Sequence, residues 1–156
     1  MSTTPAAIVP PKLVREIHWA TRSLHLFLRA NARTPFKWGT FDCALFAADG
    51  IKAMTGVDIA ADFRGKYSTE EEAFALIKHI TGGTTVEDAA AYCAAKHGLK
   101  EWKSPLFAQR GDLCVLEDSG RLITGLVHLN GRHIVAAGEA GLKKILITKV
   151  KRAFHV

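Results

Sequence analysis

The hydrophobic residues of this chain change their period once. Up to about residue 98 they recur at helical spacing, and from Gly111 onward they alternate or cluster in short blocks. Leu13, Ile17, Ala20, Leu24, Phe27 and Leu28 predict an amphipathic helix over 12–32, which Pro35 closes. Ala44, Leu45, Phe46, Ala47, Ala48 and Ile51 place apolar side chains nearly all round a second helix, which is therefore central and buried. Asp42 can cap its start, and Gly56 is its natural stop.

Residues 57–67 are too polar and interrupted for a strand and read as a connector. Ser68 with Glu71, or Thr69 with Glu72, gives a capping-box start for a helix to about Ile80, ended by Gly82 and Gly83. Ala89, Ala90, Cys93 and Ala94 form the small-residue stripe of a helix over 86–97, with Gly98 as a left-handed cap. Strands are expected over 111–116, 122–129, 133–137 and 143–150, with one more over 152–155. Asn130-Gly131 is the strongest hairpin signal, a two-residue type I′ turn. Helices first and an antiparallel sheet last define an α+β domain.

The 156 residues and a 48% hydrophobic share suit one core, so the expected organisation is a Pro-rich arm over 1–11 and one domain over 12–156. Apolar runs fall short of the ~20 residues of a membrane span, and the first residues lack the form of a signal peptide. A chain made in the cytoplasm is expected. Cys43, Cys93 and Cys114 are odd in number and lack Cys-x-x-Cys spacing, which signals neither a disulfide framework nor a zinc site, and no cofactor is expected. The net charge of +6 is densest at Lys143, Lys144, Lys149, Lys151 and Arg152, but no nucleic-acid recognition motif accompanies it.

Chemistry concentrates at Cys43. A thiol in the first turn of a helix meets unpaired N–H groups and the positive end of the dipole, which favour a thiolate. A working nucleophile also needs an imidazole and a polar group to orient it. Its competing role is that of a small apolar residue packed in a central helix. Asp42 is read as a helix cap or a site residue, and Trp38 as part of a Trp-Gly turn packed over the helix start. Asp49, in the apolar helix, needs a cation, and Arg64 is the candidate.

The run Trp38-Gly39-x-x-Asp42-Cys43, followed by Arg110-Gly111-Asp112-Leu113 and by Gly125-Leu126-Val127-x-x-Asn130-Gly131, resembles the NlpC-type branch of the papain-like cysteine peptidases. More closely, the stretch from about Trp19 onward resembles a family of such domains encoded among the tail genes of bacteriophages and prophages. Pro35-Phe36-x-Trp38-Gly39-x-x-Asp42-Cys43-Ala44-Leu45-Phe46-Ala47-Ala48-Asp49, Thr55-Gly56-Val57-Asp58, Phe63-Arg64-Gly65-x-Tyr67-Ser68-Thr69 and Gly111-Asp112 carry that likeness. The resemblance implies a papain-like fold with Cys43 as nucleophile and Trp38 lining a groove beside it. It also implies a base where Ile123 stands and a third polar residue near Val135, and neither side chain accepts a proton.

His133 and His128 are the substitute bases on offer. His133 shares parity with Val135, whereas His128 shares a face with Leu126 and Thr124, opposite to Ile123. His18, His25, His79 and His97 fall on predicted helices, where surface or capping roles are expected. The expectation is accordingly a virion component of a phage tail tip or baseplate. In it an inactive NlpC-like domain binds other tail proteins through its basic C-terminal strands and its arm. The alternative is an active cysteine peptidase that cleaves peptidoglycan stem peptides.

Overall fold

The computed structural model describes residues 13–156. The Pro-rich arm lies outside them. The first predicted helix is much shorter than its spacing suggests, because tertiary bonds hold its first residues elsewhere. Leu13 is buried, the Glu16 N–H donates to the Met54 carbonyl at 2.8 Å, and Arg15 reaches the Val156 and Arg110 carbonyls at 2.9 and 2.7 Å. Helical structure begins as a π-helical turn, Trp19–Ser23, and continues as α1, Leu24–Ala30. Leu24 and Leu28 face the core, and Ile17 is 88% exposed.

The next helix, α2, Cys43–Thr55, is the centre of the domain. Asp42 caps it, Gly56 ends it at φ 78°, and eight of its side chains or backbone positions are buried. Gly50 lets it press against the sheet, since a Cβ there would lie 2.3 Å from the Leu126 side chain. The connector crosses to α3, Glu70–Thr81, where Thr69 accepts a hydrogen bond from the Glu72 N–H. Helix α4, Val86–Lys96, opens with a capping box between Thr85 and Asp88. Asp49 meets Arg64 at 2.7 Å, as its place in an apolar helix requires, and Arg64 also holds Asp58 at 2.7 Å.

Six antiparallel strands complete an α+β fold: β1 Lys100–Glu101, β2 Leu113–Asp118, β3 Arg121–Val127, β4 His133–Ala136, β5 Lys143–Leu146 and β6 Val150–His155. Their order is β1-β6-β2-β3-β4-β5. The short edge strand β1 carries no sequence signal, and a 3₁₀ turn over Ile147–Lys149 splits the expected 143–150 strand. The two-residue turn is Ser119-Gly120, with φ of 52° and 77°. It pairs Asp118 with Arg121. Asn130-Gly131 is part of a longer loop, in which Asn130 Oδ1 accepts from the Arg132 and His133 N–H groups and only Gly131 takes positive φ. A side-chain acceptor thus replaced the predicted I′ geometry.

One face of the sheet, with Leu113, Val115, Leu126 and Val135, packs under α2 and the other helices. The opposite face, with Cys114, Leu116, Val127 and Ile134, forms a second cluster. Asp112, wholly buried before β2, ties distant segments together. It accepts from Arg15 (2.8 Å), Trp102 Nε1 (2.8 Å), the Gln109 and Val156 N–H groups (2.8 and 3.1 Å) and His155 Nδ1 (3.1 Å).

Candidate functional site

The turn before α2 is built so that one carboxylate organises it. A Lys37–Phe41 bridge closes the turn, and Gly39 adopts φ 78° against Tyr67, where a Cβ would lie 2.1 Å from the Tyr67 carbonyl oxygen. Asp42, 1% exposed, accepts from the Leu45 N–H at 2.9 Å and the Gly39 N–H at 3.0 Å, and the Tyr67 hydroxyl donates to the same carboxylate. Burial and the Asp42 charge push the Tyr67 phenol up. Capping is therefore what Asp42 does here, at the rim of a cleft.

Cys43 is buried over β3. Burial drives its thiol up, and the neighbouring Asp42 charge adds to the effect. The Thr124 and Ala44 amides and the Thr124 hydroxyl favour the thiolate but do not outweigh desolvation. Desolvation at Cys43 thus outweighs the helix-start effect that would favour a thiolate there. Cys93, which also lines the cleft, is pushed up to about 12 by burial.

The residue opposite Cys43 is Thr124, not Ile123. Leu122 and Leu126, two residues to either side of Thr124, pack on the helix-facing core, whereas Ile123 packs on the other face. The resemblance had Ile123 and Val135 answering the cysteine together, but Val135 pairs with Leu126 and so lies on the face opposite to Ile123. A one-residue slip in the assumed register accounts for the error. Thr124 was the signal available, as the polar member of an otherwise apolar set, Leu122, Thr124 and Leu126.

His128 and His133 are not brought to Cys43. His128 lies four residues along the strand direction from Thr124, roughly 13 Å. Its Nδ1 accepts from the Asn130 N–H at 3.0 Å, while the Asn130 side-chain amide meets His133 Nδ1 at 3.0 Å. Both imidazoles are occupied with the β3–β4 loop, and His128 lines a separate hollow beside α1. Trp38 does line the cleft, in edge contact with Phe36 at 5.0 Å.

The cleft itself has a volume of ≈ 820 Å³ and runs from Trp38 and Cys43 between α2 and the α3–α4 pair to the sheet. Its walls are largely apolar, with Asp42, Tyr67, Thr85 and Thr124 among them, and Asp118, Arg121, Glu139 and Lys143 also line it. Lys143 pairs with Asp118 at 2.6 Å, and Arg121 with Glu70. Along the basic C-terminal strands, Arg152 meets Glu101 at 2.6 Å and Lys151 meets Glu87 at 3.2 Å, so part of the expected positive strip is neutralised within the fold. Among the described residues no cluster of three His, Cys, Asp or Glu could hold a metal, and no helix is long and apolar enough to cross a membrane.

Fold and site together define an α+β domain whose central helix presents an Asp-capped, buried cysteine to an antiparallel sheet. The chain belongs to the family described as a domain of unknown function, DUF6950, whose model matches residues 14–156. No curated protein and no solved structure matches it.

Proposed function

We propose that this chain is a papain-like NlpC-type domain that acts by binding, as an assembly component of a bacteriophage or prophage tail tip or baseplate. The observation that carries the non-catalytic part is the position of Thr124 beside Cys43 in the cleft, where a base would have to stand, since a hydroxyl cannot take the thiol proton at neutral pH. A nucleophile kept as a thiol, beside a buried carboxylate and facing a hydroxyl, has the frame of a cysteine peptidase site without its proton acceptor. The tail assignment rests on the sequence resemblance from Trp38 to Asp49 and its continuation to Thr69.

Two measurements test this reading. In a Cys93→Ala/Cys114→Ala background, the alkylation of Cys43 should titrate above the reference thiol value of about 8.5, and muropeptides should not be turned over. Turnover that disappears in Cys43→Ala would overturn the binding reading in favour of a cell-wall peptidase. Purified tail particles should contain the chain, and its absence from them would overturn the tail assignment.

A further inference from the structure

A second hollow, of ≈ 390 Å³, lies beside α1 and shares no lining residue with the cleft at Cys43. Leu28 of α1, with Leu129 and Leu142 from the loops after β3 and before β5, gives it an apolar floor. Every charged or titratable side chain that lines it is basic. His25 and Arg29 stand one helical turn apart on α1, His128 follows β3, and Lys144 lies on β5. Lys144 is paired with the buried Val135 of β4, so its side chain leaves the sheet on the face that packs against the helices. Among the described residues neither Arg29 nor Lys144 has an ion-pair partner. Positive charge is therefore gathered round an apolar floor with no acid to answer it.

We propose that this hollow binds a small amphipathic oxyanion, an apolar body ending in one carboxylate or phosphate, with the body on Leu28, Leu129 and Leu142 and the head group at Arg29 and Lys144. Charge selects the head group. A cationic ligand would add to the repulsion among the basic groups, and a neutral one would leave both full cations without a partner. An anion is met there by a guanidinium fork and an ammonium, the two side chains best suited to an oxyanion. The imprint of this field is already visible at His128, whose imidazole is held below its ordinary range by burial and then by the Lys144 charge.

The floor selects the rest of the ligand. A bare inorganic anion would use the cations and leave the leucines to water, whereas an apolar body covers them and adds about 0.8 kcal/mol for each CH₂ it buries. The volume lies toward the small end of small-molecule sites, roughly 300–1,000 Å³, so the body is compact. His25 and His128, on opposite walls, supply neutral hydrogen-bonding groups beside the two cations. This assignment stands on the hollow alone and is separate from the tail reading.

The experiment is an NMR titration of the full chain at about pH 7, where carboxylates are ionised, with octanoate and octyl phosphate as probes. Octanamide and octylamine serve as the uncharged and cationic counterparts, and butanoate as the short one. At least one oxyanion should bind saturably and shift the ring signals of His25 and His128, and the tighter of the two identifies the head group. Octanamide should bind about tenfold more weakly than that oxyanion, and octylamine more weakly still. Butanoate should bind at least about tenfold more weakly than octanoate. The double variant Arg29→Gln/Lys144→Gln changes two exposed side chains and should fold as the parent does. It should weaken the oxyanion about tenfold and leave octanamide within about twofold. Absence of saturable binding by either oxyanion, octanamide or octylamine binding as tightly, butanoate binding as well as octanoate, unshifted His25 and His128 rings, or unchanged oxyanion affinity in the double variant would each overturn the assignment.

Discussion

Asp42 and Asp112 are both buried, at 1% and 0% exposure, and they carry opposite kinds of work. Asp112 is met by five donors from the start, middle and end of the chain, one of them the Arg15 guanidinium, so its charge is compensated where it stands. Asp42 is met by two amides and a phenol, all from 39–67, and its charge leaks into the adjoining cleft, where it bears on Cys43 and Tyr67. A buried carboxylate with a cation fastens a fold. One held by dipoles alone fastens a turn and also sets the electrostatics of its neighbours.

The sharpest break of this contrast is Asp112→Ala, which leaves Arg15 without its anion and should cost about 3–5 kcal/mol in urea unfolding. Asp42→Ala should cost less, about 2 kcal/mol, as the loss of a helix cap with one extra partner. A cost equal to that of Asp112→Ala would erase the distinction. It should also lower the Cys43 thiol pKa, read by alkylation in the background lacking the other two thiols, whereas Asp112→Ala should leave that thiol unmoved.

The third effect is alkaline. The folded Cys43 thiol sits above its unfolded value of about 8.5, so the unfolded chain loses the proton first and stability falls as pH rises past that point. Cys43 should contribute a fall of about 1.4 kcal/mol per pH unit, and Cys43→Ala should remove that share of the slope measured by urea unfolding. Thr124→Val should raise stability by ~1 kcal/mol, because it deletes an unpaired buried hydroxyl and keeps the shape. Smallest of all, His128→Ala and His133→Ala should each change stability by no more than about 0.5 kcal/mol and leave Cys43 alkylation unaltered. A shifted alkylation profile in either would place an imidazole nearer the thiol than the fold does.

Local chemistry was legible in the sequence wherever a few neighbouring residues determine the outcome. Asp42, Gly56, Thr69, Gly82 and Gly98 mark helix ends because caps need specific side chains or left-handed backbone within one turn. The Asp49–Arg64 pair was legible because a carboxylate in an apolar helix needs an answer close by. Arg15 was not, since its partners lie 95 to 141 residues away and override the helical periodicity of 12–18. Nor was the face of β3: a strand pattern in which both Ile123 and Thr124 are flanked by acceptable core residues fixes register only to within one position. Asn130-Gly131 misled for a different reason, as an Asn side chain can complete a wider loop as well as a tight turn.

The sheet's outer strands bear on how such a domain could join anything larger. At one edge β1 is two residues long, and at the other β5 places Lys143 and Lys144 side by side. Neither presents the long, flat, apolar border that another chain could extend. Among the described residues, the borders of the sheet thus guard copies of this domain against polymerising edge to edge.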